Sequence, residues 1–180
     1  MSGEFKRHIF LVGMPGSGKS TTGKKLAQKM KLNFTDLDQY LETKLNKKIT
    51  EIFEQQGESE FRKKESKALQ EIITAGKKGI LSLGGGAPCN SENLALIKKN
   101  GIVIYLEMSP DALRSRLIQK SNTRPLFEGL EEAQLLEKLK ILLQQREKYY
   151  CEADLTVSGM NVDLDTLKKQ ILSLLGNSHD

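Results

Sequence analysis

The chain has 180 residues, of which 38% are hydrophobic and 28% charged, with a formal net charge of +5; that fits one domain able to bury one core. Its longest apolar runs are far too short to cross a bilayer, and Met1-Ser2-Gly3-Glu4 opens no targeting segment, so a cytoplasmic protein with no membrane partner is expected. Its lysine pairs, from Lys24-Lys25 to Lys168-Lys169, are scattered like solvated helix faces, and with no Trp the chain argues against a nucleic-acid partner; small anionic substrates account for the surplus equally well.

Residues 7–27 read as an apolar strand, a glycine-rich turn and a helix, and the middle spells Gly13-Met14-Pro15-Gly16-Ser17-Gly18-Lys19-Ser20. This is a P-loop. Small residues let successive backbone N–H groups turn around a phosphate, and a helix beginning near Lys19 aims its positive dipole end at the same place. Gly13, Gly16, Ser17, Gly18 and Thr21 are the expected phosphate cradle. Lys19 reaches the β- and γ-phosphates, and the Ser20 hydroxyl can serve Mg²⁺. A glycine turn with a surface lysine would require neither the apolar run before the motif nor the helical pattern after it.

The helix runs to about Met30, and residues 32–35 read as a second strand ending in Asp36-Leu37-Asp38. Ligands of an open α/β sheet bind beyond the carboxyl ends of its strands, so both acids are expected to face the nucleotide. Asp36 is placed to orient a water on Mg²⁺, and Asp38, two residues on and expected to point the same way, to accept a proton or hydrogen bond from a substrate hydroxyl. Either one could instead cap the following helix. Residues 40–75 carry helical periodicity broken at Gly57, which predicts two or three helices. Arg62 falls near the start of one of them, where a cation is disfavoured; that calls for an anionic partner, either a ligand or Glu58 or Glu65.

Residues 79–83 are a short, continuously apolar third strand that runs into Gly84-Gly85-Gly86, a place for a ligand to approach the backbone closely. Ser82 falls near the metal waters. A fourth strand over 102–106 leads to Ser109-Pro110, an N-cap and first-turn proline, and to a helix carrying Arg114 and Arg116. Residues 119–129 have the composition of a mobile lid that brings Arg124 onto the transferring phosphoryl group. A helix over 131–150 follows, with Arg146 near its end, then a fifth strand over 154–157, a turn at 158–162 suited to adenine, and a final amphipathic helix over 163–175. Cys89 and Cys151 lack metal or redox spacing and are expected as free thiols.

The P-loop, Asp36-x-Asp38, Phe61-Arg62, the glycine run, Arg124-Pro125-Leu126 and Arg146-x-x-Tyr149 occur in the order seen in shikimate kinases, and the resemblance covers nearly the whole chain. It implies a P-loop NTPase fold: three α/β/α layers, a five-stranded parallel sheet in the order 2-3-1-4-5, a helical substrate-binding region at about 37–65 and a lid. It also implies ATP and Mg²⁺ as cofactors, a monomer, and γ-phosphoryl transfer to the 3-hydroxyl of shikimate. By this resemblance Asp38 takes the substrate hydroxyls and the base role, and Arg62 and Arg146 take the carboxylate. Gly84, Gly85 and Gly86 line the substrate, Ser20 and Asp36 serve Mg²⁺, Arg124 is the lid arginine, and Arg116 stacks on adenine. Ile49, Phe53, Phe61 and Glu65 shape the substrate region. Two features depart from the family pattern: Phe127 stands where a leucine is usual, and a long interval from Arg116 to Arg124 leaves Arg114 as an alternative adenine contact. The rival readings are a kinase resembling gluconate kinases, a nucleoside monophosphate kinase, and a nucleotide-binding switch with no acceptor pocket.

Overall fold

The computed structural model describes residues 7–75, 77–119, 127 and 129–176. Five strands, β1 (His8–Val12), β2 (Asn33–Asp36), β3 (Gly79–Ser82), β4 (Gly101–Glu107) and β5 (Leu155–Ser158), form one sheet in the order β2-β3-β1-β4-β5. Every pairing is parallel. The expected topology is therefore the observed one. The three inner strands are buried almost throughout, as continuous apolar runs demand, whereas the edge strands β2 and β5 are only partly covered.

Alternation along the inner strands divides the core into two layers. Ile9, Leu11, Ile80, Ile102 and Ile104 face α1 (Lys19–Met30) and α7 (Leu164–Gly176), which contribute Leu26, Ala27, Leu167 and Ile171. Phe10, Val12, Leu81, Val103 and Tyr105 face the opposite way. They pack with α2 (Leu37–Leu45), α3 (Ile49–Thr74), α4 (Ser91–Asn100), α5 (Pro110–Gln119) and α6 (Glu132–Tyr150). Phe127, the bulky departure from the usual leucine, is buried in this second layer.

The region predicted to hold two or three helices holds α2 and α3. Asn46 closes α2 in the left-handed conformation at φ 48°, and α3 is broken internally at Gly57, whose φ of 77° and ψ of 171° suit only glycine. Helix ends differ from the sequence reading by a residue or two, for local reasons. Asp163 caps α7 rather than starting it, accepting from the N–H groups of Asp165 and Thr166. Asp154 precedes β5, where its carboxylate accepts the Val103 N–H at 2.7 Å and its own N–H donates to the Val103 carbonyl. Ser109 caps α5 as expected, with Pro110 first in the helix.

Candidate active site

The loop between β1 and α1 has the features of an anion cradle. Gly13, Gly16 and Gly18 all adopt positive φ, at 138°, 86° and 92°. Gly18 is the N-cap of α1, yet no side chain caps that helix and no acid lies in its first turn, so the leading N–H groups and the helix dipole are left for an anion. Lys19 is buried and its Nζ donates to the carbonyls of Gly13 and Met14, each at 2.9 Å, which holds the ammonium across the loop. Ser17 is buried, while Thr21 is exposed.

Ser20 donates its hydroxyl to Asp36, and the Ser82 hydroxyl lies 3.4 Å from that of Ser20. Asp36 does two jobs. Its Oδ1 caps α2 by accepting the N–H groups of Asp38 and Gln39, and its Oδ2 takes Ser20. The cap foreseen as one alternative is therefore present, and the same side chain also reaches Ser20. This set of hydroxyl and carboxylate oxygens at the edge of a phosphate cradle fits a small hard cation such as Mg²⁺.

Asp38 does not point the same way as Asp36, which meets Ser20. The alternation argument required an extended chain, but α2 begins at Leu37, and Asp38 stands in its first helical turn. It lines a separate cavity of about 490 Å³. Around that cavity stand Pro15 from the P-loop, Ile49, Phe53, Phe61, Arg62 and Glu65 from α3, the three glycines after β3, and Arg146 from α6. Gln39, Glu42, Lys48 and Thr50 complete the wall; the sequence reading named none of them, because their periodicity is that of an ordinary helix surface. The glycine run is hemmed in. A Cβ on Gly84 would lie 2.5 Å from Glu65 Oε1 and 3.0 Å from Asp38 Oδ1, and one on Gly86 would meet the Arg62 guanidinium. Tyr150 fastens the run from behind, its hydroxyl donating to the Gly85 carbonyl at 2.5 Å.

The electrostatic centre of the cavity is Glu65. It is 1% exposed, and its Oε2 accepts from Arg62 Nη1 at 2.8 Å. Burial pushes its carboxyl up to about 7, against the pull of Arg62. Arg62 also donates to Glu58 at 3.1 Å, so the intramolecular partners foreseen for it are both present while it still lines the cavity. Among the described residues, Glu65 Oε1 and Arg146 Nη1 are buried with no hydrogen-bond partner. Buried polar atoms in that condition need a partner, such as an ordered water, an ion or a polar ligand.

On the other side of the P-loop, Arg116 donates to the carbonyls of Ser17 at 3.3 Å and Gly159 at 2.9 Å, so it ties the loop to the turn after β5. Arg114, its alternative, pairs with Asp111 on the surface of α5. Arg124 and most of the expected lid lie outside the described residues. Cys89 and Cys151 are free thiols.

A phosphate cradle beside a cavity lined by two arginines and three carboxylates is the outline of a small-acid kinase. A model of the shikimate kinase family matches residues 15–175. The chain belongs to that family. A shikimate kinase from Sulfurihydrogenibium sp. is 38% identical over 168 residues, covering 93% of this chain and 96% of the relative. Among solved structures, a shikimate kinase from Bacteroides thetaiotaomicron superposes with a TM-score of 0.85 at 31% identity, covering 94% of this chain and 98% of the other. One from Acinetobacter baumannii, in complex with shikimate, superposes with a TM-score of 0.84 at 34% identity, covering 98% and 97%. As a member of the family, the kinase takes ATP and shikimate as its substrates and serves aromatic biosynthesis.

Proposed function

We propose that the kinase transfers the γ-phosphoryl group of ATP to the 3-hydroxyl of shikimate, with the residues of the two adjoining sites in the following roles. The cluster of Arg62, Glu65, Asp38 and Arg146 around the glycine run, with Glu65 and Arg146 buried, carries this reading. Arg62 and Arg146 receive the substrate carboxylate, because planar guanidinium groups match a carboxylate in a way that lysines do not. Asp38, against Gly84, orients the attacking hydroxyl and accepts its proton. Gly84, Gly85 and Gly86 let the ring approach the backbone closely.

The phosphates of ATP lie on Gly13, Gly16, Ser17, Gly18 and Thr21, with Lys19 on the β- and γ-oxygens and Arg124 brought to the γ-phosphoryl from the lid. Arg116, beside the Gly159 turn, contacts adenine; its placement between the P-loop and that turn favours it over Arg114. Ser20 and Asp36 hold Mg²⁺, which when bound would offset charge on the phosphates. Phosphoryl transfer asks the protein mainly for positioning and charge neutralisation, and the juxtaposition of cradle and acid pocket meets that demand. The same reading takes the chain as one catalytic unit, a monomer working in the cytoplasm, with no nucleic-acid or membrane partner; none of its described helices is long and apolar enough to cross a membrane.

ADP release from ATP and Mg²⁺, followed with shikimate, gluconate or no acceptor, tests the assignment. Stimulation by shikimate alone is expected. Acceptor-independent hydrolysis, or stimulation by gluconate, would overturn it.

A further inference from the structure

Arg62 is the cation that faces the cavity from α3, and both ends of its fork already carry carboxylates from its own helix. Nη1 is held at 2.8 Å by Glu65, which is 1% exposed and lines the cavity. Nη2 is held at 3.1 Å by Glu58, which is 55% exposed and stands outside the cavity wall. The two glutamates are unequal in what they can yield. Glu65 is fixed by packing against the Gly84 backbone, whereas Glu58 reaches solvent and follows Gly57, the residue at which α3 loses helical geometry. Nothing lies within 4 Å of the position a Gly57 Cβ would take, so the backbone just before Glu58 runs through open space.

We propose that Glu58 is a built-in competitor for the substrate carboxylate: an exposed anion that holds the outer nitrogen of Arg62 and that an incoming carboxylate must displace. The inference rests on the assignment of Arg62 to the shikimate carboxylate. An anion that approaches Arg62 finds both guanidinium nitrogens occupied by glutamates of α3, and only the solvent-facing one can move away. Glu65 alone suffices to hold the guanidinium against Gly86, since it is the buried and shorter of the two pairs. Releasing Glu58 therefore leaves the arginine in place while freeing one donor nitrogen. The competitor sets how strongly an acid is favoured over neutral ligands, because only a carboxylate gains from the exchange.

Glu58→Gln removes the charge and keeps a side chain of the same shape at an exposed position. Glu60→Gln serves as a control: it removes the same charge two residues away, from a side chain paired with Lys63 instead. The dissociation constant for shikimate, measured by calorimetry, and the KM for shikimate should both fall by about 1.4- to 2.3-fold in the Glu58 variant, the worth of an exposed pair at this spacing. The kcat and the KM for ATP should stay at wild-type values, and the Glu60 variant should match the wild type throughout. An unchanged or weakened shikimate affinity in the Glu58 variant would overturn the proposal, the second result making Glu58 a positioning residue for Arg62. An equal gain in the Glu60 variant would also overturn it, by reducing the effect to net charge. Failure of the wild-type chain to bind shikimate would refute the carboxylate assignment itself, an outcome distinct from wild-type binding that Glu58→Gln leaves unaltered.

Discussion

Replacing Glu65 with Gln should change how stability depends on pH, and the size follows from its surroundings. Burial moves the carboxyl from an ordinary value of 4.5 to about 7 in the folded protein. Below the unfolded value both states hold the proton and the group contributes nothing. Between 4.5 and about 7 the folded state keeps a proton that the unfolded chain has released, so stability falls as pH rises. Above that window both states are ionised and the full penalty applies, roughly 3 kcal/mol at about 1.4 kcal/mol per tenfold change in proton affinity. Glutamine has no such titration. Arg62 stays charged throughout, so its lost partner offsets the variant's curve without altering its slope. Urea unfolding of both proteins across the range from about pH 4.5 to about 8.5 should therefore show the wild type losing about 3 kcal/mol relative to the variant. Parallel curves would refute the claim that this buried carboxyl holds its proton near neutrality.

Other outcomes follow from the same geometry. Arg62→Ala should raise the KM for shikimate by roughly 10- to 150-fold, the loss of about 1.5–3 kcal/mol expected for a charged hydrogen bond, and an unchanged KM would take Arg62 out of the site. Lys19→Ala should abolish turnover by orders of magnitude while circular dichroism and the melting curve show a folded protein; near-normal turnover would sink its assignment. Gly84→Ala puts a methyl 2.5 Å from Glu65 Oε1 and 3.0 Å from Asp38 Oδ1. It should cost about 1–3 kcal/mol of stability, read from denaturant midpoints, and raise the KM for shikimate; wild-type values for both would show that the glycine is not needed there. His8 is fully buried in β1, and burial, aided by nearby Lys78, lowers its pKa below the ordinary 6.5. The unfolded chain then takes up the proton first, so stability contributed by neutral His8 is lost as pH falls below 6.5, and melting temperatures of His8→Leu should fall less on acidification than those of the wild type.

What the sequence determined by itself is whatever depends on neighbours along the chain. The P-loop was legible because its cradle is made of consecutive residues: glycines that take positive φ, a lysine and a serine at fixed offsets, and a strand and a helix that their own periodicities define. The same holds for the apolar runs of β1, β3 and β4, whose burial on both faces dictates a parallel sheet, and for Gly57, whose break in α3 interrupts the helical pattern. The pairing of Arg62 with Glu58 and Glu65 was also within reach, since spacings of four and three place those side chains on one helix face.

Only the tertiary structure decided how distant residues share a site. Asp36 and Asp38 look equivalent on paper, yet one closes a strand beside Ser20 and the other rides the first turn of a helix into the acid cavity, because the change from strand to helix falls between them. Arg114 and Arg116 differ by two positions in one helix, and that rotation sends one to Asp111 and the other beneath the P-loop. Tyr150 reads as an aromatic at a helix end until Gly85 is brought against its hydroxyl. Above all, the proton affinity of Glu65 was not a property of its neighbours in the chain. It arises where α3 packs against the glycine run, and removal of water from around a carboxylate is an effect of the assembled fold alone.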